Sequence, residues 1–105
     1  MSTRRFPVKD PTESVVLTFD FSGDLGSVRT LSGSPTLVAI TVVKGTDANP
    51  TAIQNGALSL DATSTQVLMP VKGGLAGCEY NISVKCSTTD SNWLLELDGT
   101  LPVRS

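Results

Sequence analysis

The side chains that could do chemistry in this 105-residue sequence include two cysteines, ten carboxylates and eight lysines or arginines, with no histidine beside them. Without an imidazole the commonest general base near neutral pH is missing, and Ser-His and Cys-His nucleophiles with it. Cys78 and Cys86 stand at the two ends of one predicted strand. At about 3.3 Å per residue that separates them by roughly 26 Å, against the roughly 7 Å that a disulfide tolerates. Each is expected as a small buried thiol, and two distant cysteines do not make a zinc site. Gly73-Gly74 is not followed by the Lys-Ser/Thr and helix of a phosphate loop. The carboxylates are dispersed, and one Trp and one Tyr are too few for a sugar platform beside an acid pair. Asp20-Phe21-Ser22-Gly23-Asp24 carries oxygens that a calcium ion could use, but at lower density than a dedicated loop, so a solvated turn is expected. Asn81-Ile82-Ser83 matches a glycosylation acceptor, yet falls inside a predicted strand. Neither an enzyme nor a cofactor or metal is expected.

One asymmetric feature remains. Arg4, Arg5 and Lys9 place three of the basic residues within the first nine positions, around Phe6 and ahead of Asp10. Pro7 and Pro11 hold this stretch extended. The pattern suggests a docking arm over residues 1–13, with Phe6 anchoring in an apolar pocket of a partner and the guanidinium groups pairing with carboxylates. A net charge of −2 gives no general attraction to nucleic acid or anionic membrane, and no direct binding to either is expected. No run reaches the ~18 apolar residues of a membrane span. The polar start lacks the apolar core of a signal peptide, so synthesis and assembly in a cytoplasm are expected.

The elements that must position these residues are strands. After the glycine-rich corner at residues 73–77, Tyr80, Ile82, Val84 and Cys86 alternate with Asn81, Ser83 and Lys85, the period of a half-buried strand. A Tyr entering a strand from a Leu-Ala-Gly turn predicts a tyrosine corner, with Gly77, Tyr80 and Trp93 as structural residues. Residues 14–21 alternate with Val15, Leu17, Phe19 and Phe21 on one face. Further strands are predicted over 27–31, 36–43, 57–61, 66–69 and 93–97, with turns at 22–26 and 32–35, a long loop over 44–54 and no helix. About seven strands with turns at this spacing predict an immunoglobulin-like, fibronectin III-like antiparallel β-sandwich over residues 14–105. Parity places Val15, Leu17, Phe19, Leu37, Ala39, Val67, Tyr80, Ile82, Val84, Trp93, Leu95 and Leu97 in its core.

Four segments together resemble a known group. They are Phe6-Pro7-Val8-Lys9-Asp10-Pro11-Thr12-Glu13, Val16-Leu17-Thr18-Phe19-Asp20-Phe21-Ser22, the Gly-Gly-Leu-Ala-Gly-x-x-Tyr corner, and Leu101-Pro102-Val103-Arg104. The chain resembles small immunoglobulin-like structural proteins of tailed bacteriophages, described as fibre–tail adaptor or head cement proteins. Phe21 stands where that group would carry a Trp. The resemblance implies a non-enzymatic virion component, made in the bacterial cytoplasm and present as a homo-oligomer or in several copies. It would join tail or neck to fibres through Arg4, Arg5, Phe6, Lys9 and Asp10. A capsid decoration protein and a cell-surface adhesion or carbohydrate-binding domain are the competing expectations, since a sandwich suits all three.

Overall fold

The structure, a computed structural model, describes residues 3–25, 30–90 and 93–104; the side chains of residues 3, 4 and 24 lie outside that description. Seven strands run in the order β1 (Thr3–Arg5), β2 (Ser14–Asp20), β3 (Leu31–Lys44), β4 (Ser59–Leu60), β5 (Gln66–Lys72), β6 (Glu79–Thr88) and β7 (Leu94–Pro102). They form a β-sandwich of a four-stranded sheet, β1-β7-β6-β3, over a three-stranded sheet, β2-β5-β4. All neighbours are antiparallel except β1, which runs parallel to β7.

The core follows from alternation. Leu17 and Phe19 of β2 and Val67, Met69 and Val71 of β5 face Tyr80, Ile82, Val84 and Cys86 of β6 and Leu97 and Leu101 of β7, all buried. Asn81 and Lys85 of β6 point the other way, as residues between inward-facing ones must.

The expected parity fails in β3 for one reason. The pairing with β6 shifts between Leu37, opposite Val84, and Ala39, opposite Ser83. Val38 is the extra residue of that bulge and is exposed, so Ala39 turns outward and Ile40 takes the core position opposite Ile82. The turn predicted over 32–35 is a second shift inside the same strand, where Gly33 takes φ +74° and Pro35 sits on an edge that needs no donor.

Other expectations are corrected similarly. A single helical turn, α1 (Ser22–Leu25), follows β2 and buries Leu25; four residues are too few to show a helical period in sequence. Pro50–Ile53 forms a 3₁₀ turn that buries Ile53 within the expected loop. Of the strand expected over 27–31, positions 27–29 lie outside the described residues. Val15 and Trp93 are exposed rather than in the core, because Val15 sits at an open seam and Trp93 just precedes β7. Cys78 and Cys86 are buried free thiols.

Candidate functional site

The first residues are not a free arm. β1 pairs with β7 from Thr3 opposite Asp98 to Arg5 opposite Thr100. Beyond it the Phe6 N–H donates to the Thr100 carbonyl (2.8 Å), the Lys9 N–H to that of Pro102 (3.0 Å), and the Arg104 N–H to that of Lys9 (2.9 Å). Phe6 is 9% exposed and lies in the core, its ring edge-on to Phe19 at a centroid distance of 5.1 Å. Gly99 makes the seat: a Cβ there would overlap the Phe6 ring. Phe6 is therefore occupied within its own domain and cannot anchor in a partner, and the boundary expected at residue 13 falls inside one hydrogen-bonded unit.

Lys9 is also internal. Only 2% of it is exposed, and its ammonium donates to the carbonyls of Gly73 (2.6 Å) and Asp10 (2.9 Å). Burial pushes its pKa down, against the nearby carboxylates of Glu13 and Asp10. Asp10 closes the turn into β2: its Oδ1 accepts from the Thr12 N–H (2.9 Å) and hydroxyl (2.7 Å), and these bonds hold its carboxyl below the usual range. Glu13 Oε1 in turn accepts from the Asp10 N–H (2.7 Å). Arg5 forms a two-pronged pair with Glu79, Nη1 to Oε1 at 3.3 Å and Nη2 to Oε2 at 3.1 Å, with Arg104 at 3.8 Å from the same carboxylate. The Arg5 hydrogen bond draws the Glu79 pKa down. Arg4 pairs through its backbone; its side chain lies outside the described residues.

The structural residues separate into two kinds. The Tyr80 hydroxyl accepts from the Leu75 N–H (2.9 Å) and donates to Asp47 Oδ2 (2.8 Å), a partner the sequence did not suggest. Desolvation, with Asp47 adding to it, pushes the phenol pKa up to about 12. Gly77 takes φ +88°, which suits glycine, and its N–H donates to the Val103 carbonyl (2.8 Å). Trp93 is 39% exposed.

With the arm folded back, the open surface lies beside it. A groove of about 340 Å³ runs between residues 6–9 and β2, walled mainly by Val8, Val15, Leu17 and Leu101, with Lys9 and Glu13 at one end. Its volume is at the low end of ligand pockets, and its walls are mostly apolar. Val8, Val15 and Val16 are exposed along it, by 52, 36 and 59%. Alternation does not mark Val15 as surface, because an apolar residue on the inward parity of β2 reads as core. Among the described residues no group of three or more His, Cys, Asp or Glu could hold a metal. Asp20 Oδ1 accepts from the Ser22 N–H (2.9 Å), opening α1. Asn81 lies within β6, paired on both sides. Among the described residues, no helix is long and apolar enough to cross a membrane. No family model, curated protein or solved structure matches the chain.

Proposed function

We propose that this chain is a non-enzymatic structural module of the immunoglobulin-like type that joins proteins within a tailed-phage particle, as an adaptor between tail or neck and fibres. The strand order supports the fold part of this reading. Taken as B to G, β2 to β7 fall into the sheets B-E-D and C-F-G of that class, with the tyrosine at the head of F. The resemblance of four sequence segments to phage adaptor and cement proteins supports the functional part.

The observation that carries an assembly role is the groove beside β2 with its exposed valines. The N-terminal segment is clasped down by Arg5, Phe6 and Lys9, while Val8, Val15 and Val16 remain exposed beside a sheet edge. Exposed apolar residues grouped along a groove mark contact sites for proteins. Docking therefore falls to this side of the sandwich rather than to Phe6 and Lys9. Mass spectrometry of purified particles, quantified against the major capsid protein, tests the reading. Roughly a dozen or two copies per particle fit an adaptor on a symmetric tail or neck, and hundreds fit a capsid cement. Absence from the particles overturns the virion role and favours a surface-adhesion domain.

A further inference from the structure

Each sheet has two outer strands, and three of the four are protected against pairing. β4 is two residues long, and β1 is three residues long with a charged pair at its end. β3 is interrupted by three register shifts and carries Pro35 and Lys44. Such shortness, bulges, prolines and charges are how proteins keep edges from adding strands. β2 has only one of these, the charge of Asp20 at its last position. Its seven residues pair with β5 in unbroken register from Ser14 to Asp20, and its first six, Ser-Val-Val-Leu-Thr-Phe, carry no charge, Pro or Gly. Among the described residues no strand pairs with its other side. In the sandwich class with sheets A-B-E-D and C-F-G that side holds strand A. Here the first strand pairs with β7 instead, and no described strand takes the position beside β2.

We propose that the outer edge of β2 pairs antiparallel with β2 of a second copy of this chain, about a two-fold axis. The charge pattern favours a second copy. With the axis at Val16, the two Val16 side chains face each other and Ser14 meets Thr18 of the second copy, so no charges oppose along the paired residues. The same axis brings the two residue 6–9 segments together, because both flank the groove on one side of the sandwich, and it covers Val8 and Val15 as well as Val16. The contact is isologous and closes on itself, as two-fold interfaces do.

The size of the face sets the strength. Seven residues at about 3.3 Å span roughly 23 Å. With the narrow 20 Å extent of the molecule this gives on the order of 460 Å² per copy and about 900 Å² in all. Standard stable interfaces begin near 1,200 Å², so the dimer is weak and reversible, dominant only where copies are concentrated.

The proposal deepens the assembly reading, but its test uses the purified chain without particles, so either can fail alone. Sedimentation velocity of the wild type from about 10 µM to about 1 mM should show a monomer–dimer equilibrium with a Kd in that range. Val16→Lys, on an already exposed position, should weaken it at least about tenfold by opposing two charges across the axis, with folding checked by circular dichroism. Val38→Lys, an exposed residue of the β3 bulge, should leave it unchanged. Amide exchange in β2 should slow as concentration rises. A wild type that stays monomeric to about 1 mM overturns the proposal, as does equal weakening by both lysines. If the monomeric protein instead binds an added extended apolar peptide at β2, the edge serves a foreign strand and the second-copy assignment is wrong.

Discussion

Replacing Phe6 with Ala separates a strand built into the core from an arm made for a partner. A docking residue can be removed without touching stability. Phe6 is 9% exposed, sits in the main apolar cluster and meets Phe19 edge to face. Core Phe→Ala changes cost about 3–5 kcal/mol; at the rim of the sandwich the lower figure, about 3 kcal/mol, applies. In a domain of this size that lowers Tm by roughly 12–15 °C. The seat supplies a second handle. A Cβ at Gly99 overlaps the Phe6 ring and comes within 3.2 Å of Phe19 Cε2. Gly99→Ala should therefore cost about 1–3 kcal/mol through overpacking. Once Phe6 is Ala, the ring is gone and only the Phe19 approach remains, so the double variant should be more stable than the sum of the singles by about 1 kcal/mol or more. Urea unfolding followed by circular dichroism measures all four proteins, with the m-value as a check on two-state behaviour. A Phe6→Ala Tm within about 3 °C of wild type, together with additive singles, would refute the packing of β1 onto the sandwich.

Tyr80→Phe removes the acceptor of the Leu75 N–H and should cost about 1–2 kcal/mol. Because the folded phenol pKa of about 12 exceeds the ordinary value of about 10, the native state keeps its proton longer. The resulting stability is full below pH ~10 and is lost as pH rises toward ~12, at up to about 1.4 kcal/mol per unit. The difference between wild-type and Tyr80→Phe profiles isolates this slope from the lysines, and parallel profiles would count against a buried, proton-retaining hydroxyl. Glu79 has the opposite sign: its folded pKa is depressed, so its contribution is present above the ordinary glutamate range near pH ~4.3 and is lost as pH falls through the folded value. Protection of the Phe6 amide, which is bonded to Thr100 just beyond the clasp, should fall modestly over that window in wild type and show no such step in Glu79→Gln, because the pair is exposed while the Phe6 ring stays packed. Protection level down to about pH 2 would show that the clasp does not hold β1. Both cysteines are buried, and burial pushes the Cys86 thiol pKa up. A thiol reagent should therefore label them only as fast as the protein opens, and faster in Phe6→Ala; rapid labelling of the native protein would contradict their burial.

The sequence was legible where alternation ran unbroken. β6 could be read residue by residue and β2 from Val16 onward, since a strand paired in register keeps its faces throughout. Ala39 was misplaced because one bulge residue, Val38, inverts the faces on either side of it, and a bulge leaves no mark in an apolar β-branched run. Phe6 was misread because an aromatic between arginine and proline near a terminus looks the same whether it enters a partner or its own core. A signal for the second reading was present in Gly99. A glycine inside a strand often marks the close approach of another group, and here that group is the Phe6 ring. Trp93 erred the other way, as a large aromatic at a strand entrance that lies outside the two-sheet core.

Three of the four segments that carry the resemblance have a physical meaning of their own. Lys9 of the first donates to Gly73 of the corner and bridges Val103 of the last; Gly77 of the corner donates to Val103; and Tyr80 holds Leu75. Three distant stretches thus lock one end of the sandwich through buried or part-buried polar contacts, and such contacts leave little latitude in residue type, since each broken one strands a donor or acceptor. Contact with another protein makes a weaker demand on β2, where a strand edge recognises a partner through backbone groups and any uncharged, unbroken run will serve. A motif-based likeness in this chain therefore speaks first to how the domain closes. Under the proposed pairing the contact runs along Ser14–Asp20, and Val16→Lys, a change on its exposed side rather than in the contacts that lock the end of the sandwich, is the variant that can separate assembly from folding.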